Sequence, residues 1–189
     1  LTAQFRPDLP RLERHNGVEI VRLPTMGRLS RGVLMPKFPG TARRLVREHD
    51  VIHLHTPLME SALVTGLAKR AGKAVVFTNH GDLTMPAGLW NQFVQVTNRA
   101  LMAQALRWCD AASVHSRDYG EHSDFMRPFL HKTHYIYPPV EIPPPVPEQV
   151  ADLRRRLGLD GAPVVGFAGR FVEEKGFDYL LQAVPLVAA

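Results

Sequence analysis

Apolar and polar positions trade places along the chain with two different periods, and the period changes repeatedly. Residues 17–23 (GVEIVRL) alternate and are rich in β-branched side chains, which predicts a strand. Residues 24–40, rich in Gly, Pro and Arg, read as a loop, and residues 41–48 as a short basic helix. Residues 51–55 (VIHLH) predict a second strand, and residues 58–71 have helical spacing that ends at Gly72, a residue suited to the left-handed turn after a helix. Residues 74–78 (AVVFT) form a continuous apolar run, as expected of a strand buried on both faces. The longest helical pattern spans residues 89–108. A short strand over 111–115 (AASVH), a helix over 117–130 and a strand over 133–137 (THYIY) follow.

This alternation predicts an α/β fold, a Rossmann-like doubly wound parallel sheet. Residues 138–147 (PPVEIPPPVP) are too rich in proline for a helix or a central strand and predict a stiff connector. A fresh pattern starts after it: a helix over 148–157 capped by Gly158, a strand over 163–168 (PVVGFA), and a helix from 176 to 187. The expected organisation is an N-terminal unit over 1–137, a linker over 138–147, and the start of a second α/β unit over 148–189. Leu1 begins as if inside a strand and Ala189 ends inside a helical pattern, so the expectation is a fragment cut at both ends.

Composition narrows the function only slightly. The formal charge of +5 favours anionic partners: phosphorylated substrates, a membrane surface or nucleic acid. The single cysteine, Cys109, excludes an intramolecular disulfide and a cysteine-based zinc site, and its expected role is a small buried apolar group. No apolar run reaches the length of a membrane-spanning helix.

In an open parallel sheet, ligands bind outside the carboxyl ends of the strands. Three predicted strands exit into polar residues: His55-Thr56-Pro57, Asn79-His80-Gly81-Asp82 and His115-Ser116. Adjacent strands would set these residues along one rim, with Gly81 allowing close approach to the backbone. The sharper feature is GFAGRFVEEKG (residues 166–176), between the second unit's strand and its last helix. Glycine at a strand exit, an arginine fork, a mobile lysine and the free N–H groups of a helix start together suit a diphosphate. Two other classes stay open on the residues alone. His53 and His55, at i and i+2 on one strand face, suit a metal-dependent hydrolase, and the basic balance suits a nucleic-acid-binding module.

Gly169-Arg170-Phe171-Val172-Glu173-Glu174-Lys175-Gly176, followed by Leu180, Leu181 and Ala183, resembles the G-R-x-x-x-E-K-G-x-x-x-L-x-x-A signature of family 4 glycosyltransferases. DVIHLHTP (50–57), VVFTNHG (75–81), AASVHSRD (111–118) and LRRRLGL (153–159) are similar to the family's other segments, in the same order. The resemblance implies a retaining transferase of the GT-B, two-domain type. It would use a nucleotide-sugar donor (UDP- or GDP-linked) and a glycan or lipid-linked acceptor, and would need no cofactor or metal. It further implies that Gly169, Arg170 and Lys175 bind the donor diphosphate and that His80 is catalytic, near the transferred sugar. His55, Gly81, Ser116 and Glu141 would line the cleft. The family's P-N-G-V-D turn is here Pro138-Pro139-Val140-Glu141, and neither its N-terminal glycine-rich loop nor its later E-x₇-E segment is found, so the fragment alone is expected to be inactive. With this reading nucleic acid is not an expected partner.

Arg28, Arg31, Lys37, Arg43, Arg44 and Arg47 are interleaved with Leu29, Val33, Leu34, Met35 and Phe38. That pattern suggests a peripheral contact with anionic lipid on the cytoplasmic face of a membrane. Trp90, Phe93, Val94, Val96, Leu101, Met102, Leu106 and Trp108, at helical spacing, are expected to be core.

Overall fold

The computed structural model describes residues 1–29, 32–159, 161, 163–172 and 175–187; Arg31, the Glu173–Glu174 pair and Ala189, singled out above, lie outside them. The chain forms two compact units, Leu1–Pro139 and Val140–Ala189.

The first unit opens with β1 (Thr2–Ala3), β2 (Leu12–His15) and β3 (Val18–Leu23), in the order β1-β3-β2. β2 was not among the predicted strands, because LERH offers a single apolar side chain. Its turn to β3 is nonetheless a legible hairpin signal: Asn16 and Gly17 both take positive φ, at 48° and 80°. Residues 24–40, predicted as loop, contain a second hairpin, β4 (Gly27–Leu29) paired antiparallel with β5 (Gly32–Leu34). Helix α1 (Phe38–Glu48) starts three residues before the predicted 41, since Pro39 sits in the first turn, where a missing N–H costs nothing. Phe38, Ala42 and Val46, one turn apart, are its buried stripe. Phe38 thus packs into the core and is not free to dip into a lipid interface.

The principal sheet has four parallel strands in the order β6 (Val51–Thr56), β7 (Ala74–Asn79), β8 (Ala111–Val114) and β9 (Thr133–Tyr135). It is joined by α2 (Ser61–Arg70), α3 (Leu89–Trp108) and α4 (Arg117–His122) with a 3-10 helix (Arg127–Lys132). This is the Rossmann-like α/β fold that the alternation predicts. Alternation within the strands sends Leu54, Val75, Phe77, Ala112 and Val114 into one core with Val64 and Ala68 of α2 and Met102, Ala105 and Leu106 of α3. On β6 the opposite positions, Val51, His53 and His55, are exposed.

Two helix expectations are corrected. The pattern over 117–130 is not one helix: Ser123 turns extended (φ -75°, ψ 117°), and its Oγ accepts hydrogen bonds from the backbone N–H groups of Phe125 and Met126. Pro128 then sits in the first turn of the 3-10 helix. In α3 only part of the apolar set is core: Val94, Met102 and Leu106 are buried, whereas Trp90, Phe93, Val96 and Trp108 are exposed. The helix buries one stripe, and residues 90, 93 and 96 fall off it.

In the second unit, α5 (Pro147–Leu157) ends at Gly158 in the left-handed conformation, and α6 (Phe177–Val187) begins just after Gly176. The strand predicted over 163–168 does not form a ladder. Among the described residues this unit has no second strand to pair with it, and Val164 and Val165 are exposed. Among the described residues no helix is long and apolar enough to cross a membrane.

Candidate active site

The register of the sheet sets the three polar exits side by side. Thr56 pairs with Asn79, and Asn79 with Val114, so the next residues, His80 and His115, leave adjacent strands at one level beside His55. The imidazoles meet: Nδ1 of His55 lies 2.8 Å from Nε2 of His80, and Nδ1 of His80 lies 2.7 Å from Nε2 of His115. One pleat below, the His53 ring centroid is 4.3 Å from that of His55. Nε2 of His53 is 2.7 Å from Oγ1 of Thr78, which is 2.6 Å from Oγ of Ser113. Burial, followed by the charges of His53 and His115, pushes the His55 pKa below its ordinary value; burial, then His115 and His55, does the same for His80. Both shifts favour the neutral imidazole at His55 and His80.

The nitrogen separations are those of hydrogen bonds. Two nitrogens sharing one tetrahedral zinc at about 2.0–2.1 Å stand roughly 3.3 Å apart. Among the described residues no group of three or more His, Cys, Asp and Glu side chains is arranged to hold a metal ion.

His80 is presented by a loop tied down from below. The buried Thr56 hydroxyl donates to Oδ1 of Asn79 at 3.0 Å, and Nδ2 of Asn79 donates to the Tyr119 hydroxyl at 2.7 Å. Tyr119 in turn donates to Oδ1 of Asp82 at 2.5 Å, and Oγ of Ser123 donates to Oδ2 of the same carboxylate at 2.9 Å. Burial first, and the Asp82 carboxylate next, hold the Tyr119 hydroxyl protonated well above the ordinary tyrosine range. Between these anchors Gly81 has φ 152°, a value that a side chain disfavours, and no atom lies within 4 Å of where its Cβ would be. Asn79, Tyr119 and Ser123 escaped the sequence reading as anchors, since nothing in one dimension links α4 to the loop after β7. Ser116 carries a helix end: its Oγ accepts from the Tyr119 N–H at 3.1 Å as the N-cap of α4.

His55, His80, Gly81 and Ser116 thus share the carboxyl end of one sheet, joined by His115. Gly169, Arg170, Lys175 and Glu141 belong to the second unit. Glu141 is exposed in the proline-rich segment that opens it. The other three lie on a turn held by aromatic rings: the Phe177 ring centroid, at the start of α6, is 5.3 Å from that of Phe167 and 4.7 Å from that of Phe171. A Cβ at Gly169 would meet the Phe167 ring at 3.2 Å, so glycine lets the turn close against it. The Val172 N–H donates to the Arg170 carbonyl at 2.9 Å and the Lys175 N–H to the Val172 carbonyl at 3.0 Å, and both basic residues are exposed. The turn runs through Gly176, at φ 65°, into the first turn of α6. Arg170 and Lys175 thus stand exposed just before a helix start.

No curated protein matches the chain. The family model described as Glycosyltransferase Family 4 matches residues 1–142, which include the whole parallel sheet and its histidine rim. The chain belongs to glycosyltransferase family 4, and its role is glycosyl transfer.

Proposed function

We propose that the chain serves retaining transfer of a hexosyl group from a UDP- or GDP-linked donor to a glycan or lipid-linked acceptor, without a metal or cofactor. The observation that carries the donor half of this reading is the pair of exposed cations, Arg170 and Lys175, on a turn packed by Phe177 at the start of α6. Arg170 offers the diphosphate a planar fork and Lys175 a mobile charge, and both neutralise the phosphate as it leaves. Gly169 keeps the backbone of the turn close. On the first unit His80 contacts the transferred sugar, with His55, Gly81 and Ser116 beside it on the same rim; on the second, Glu141 is a further ligand-facing candidate.

Calorimetric titration of UDP-, GDP- and ADP-sugars into the protein and its Arg170→Ala/Lys175→Ala variant tests the donor half. Binding of one nucleotide class, lost in the variant, is expected. Equal binding by both proteins would remove the diphosphate from these residues. The lipid-linked version of the acceptor rests on α1, whose Arg43, Arg44 and Arg47 are exposed while Phe38, Ala42 and Val46 face the core. The contact is then electrostatic and set at the cytoplasmic face of a membrane. Flotation with anionic but not neutral vesicles is expected; equal recovery from both would sink it.

A further inference from the structure

The three joined histidines carry an order of hydrogens that can be read from one end. Nδ1 of His115 lies 3.4 Å from the carbonyl oxygen of Ile136, a group held in place because the Ile136 N–H donates to the Val114 carbonyl at 2.9 Å. A carbonyl oxygen only accepts, so Nδ1 of His115 bears the hydrogen and its Nε2 bears the lone pair. Nδ1 of His80 is then the donor to that lone pair, which leaves Nε2 of His80 as an acceptor. Nδ1 of His55 is the donor to it in turn. The opposite order would set the His115 lone pair against the carbonyl oxygen. Both nitrogens of His80 are thereby engaged. The open position is Nε2 of His55, an exposed lone pair with no hydrogen-bond partner among the described residues.

We propose that His55, His80 and His115 form a proton relay, and that Nε2 of His55 is where it receives the hydrogen of an uncharged, hydroxyl-bearing ligand. A hydroxyl proton arriving at Nε2 of His55 releases the Nδ1 proton of His55 to Nε2 of His80. The Nδ1 proton of His80 then passes to Nε2 of His115. His55 and His80 end neutral, in the other tautomer, and His115 ends as the cation, still donating to Ile136. One proton enters without breaking a hydrogen bond of the chain, and a second would leave two N–H groups facing each other. The identity of the ligand rests on the glycosyl-transfer reading: the hydroxyl belongs to the acceptor. Its oxygen's electron pair forms the bond to the anomeric carbon as the bond from that carbon to the donor phosphate breaks. The phosphate oxygen leaves with that pair of electrons.

The surroundings favour a neutral starting state. The charged neighbours acting on His55 and His80 are other histidines: His53, on the strand of His55, and His115, just after β8, act on His55, and His115 and His55 act on His80. Asp82, in the loop after β7, is committed to Tyr119 and Ser123. Arg117 of α4 has its guanidinium carbon 5.5 Å from the centre of the Tyr135 ring. No carboxylate is paired with the three rings among the described contacts.

Two-bond ¹⁵N–¹H correlation spectra of the full chain report the tautomer of each ring and count protons on acidification. The expected result is Nδ1–H at His55, His80 and His115, with one proton taken up by the three as a unit. In His80→Phe, at an exposed position, His55 and His115 are expected to take up two protons over the same pH interval. An Nε2–H form at His80, or uptake of two protons by the intact relay over that interval, would overturn it. These spectra stand whether or not the chain transfers sugar, so failure of the relay and failure of the transfer reading are told apart. In transfer assays of the complete gene product, His55→Gln is expected to lower kcat by about 10²–10⁴-fold and to abolish the acidic limb of the pH profile, with KM little changed. Unchanged kcat and pH profile would remove the hydroxyl from His55.

Discussion

The histidine rim and the turn that carries Arg170 and Lys175 each precede a helix, yet different forces position them. The rim is fixed by hydrogen bonds. Parallel register sets His80 and His115 level, with His55 two residues lower on β6, and a polar chain from Thr56 through Asn79, Tyr119 and Asp82 to Ser123 anchors the loop beneath. The turn around Arg170 has no ladder behind it, and three phenylalanine rings fold it onto the first turn of α6. Directional bonds hold the rim's nitrogens at hydrogen-bond separations of 2.7 and 2.8 Å. Ring packing shapes a backbone but leaves Arg170 and Lys175 exposed, as the proposed diphosphate contact needs.

Phe77→Ala should be the harshest blow to the rim. Phe77 is fully buried in β7, so its loss is expected to destabilise the first unit by about 3–5 kcal/mol in urea unfolding. Unchanged stability would mean that the rim does not rest on this core. Arg170→Ala sharpens the other side of the comparison. Transfer by the complete gene product is expected to fall by about 10²–10³-fold, the usual cost of one preorganised charge-stabilising donor, with the unfolding curve unmoved. A fall in stability instead would make the turn a structural feature.

Asp82→Ala tests the polar chain. It leaves the half-buried Tyr119 hydroxyl without its acceptor and is expected to cost about 1–3 kcal/mol, with His80 ring resonances broadened or shifted. An unperturbed His80 would show that the rim does not depend on its anchor. The gentlest expected effect is on pH dependence. The unfolded chain takes up protons at His55 and His80 from about pH 6.5 downward, whereas the folded chain resists until lower pH. The contribution is thus fully present above that range and is lost as pH falls through it. In His55→Ala/His80→Ala the decline measured by urea unfolding should be shallower.

What could be read in advance follows from how locally each feature is encoded. The strands of the parallel sheet announce themselves by β-branched runs, and the exits after His55, Asn79 and Val114 by the polar residues that end those runs. β2 was missed because its pairing is made by backbone and an Asn16-Gly17 turn, not by a pattern of apolar side chains. The break at Ser123 was missed because helical spacing continues across it, and only its oxygen's competition for the following N–H groups stops the helix. That the three histidines touch depended on register, which no single strand specifies. The strand expected over 163–168 shows the converse, since apolar spacing alone makes no ladder.

Cys109 has a practical use that its packing role hides. It follows α3 directly, 5% exposed, with its thiol donating to the Leu106 carbonyl at 3.3 Å and its pKa pushed up mainly by burial. Reactivity belongs to the thiolate, so reagents should find this sulfur only when the α3–β8 junction opens. As the sole cysteine in the sequence, it makes the rate of thiol labelling a clock for that opening. The same inertness leaves an almost silent background, so a cysteine placed beside Arg170 would be modified selectively in the folded protein.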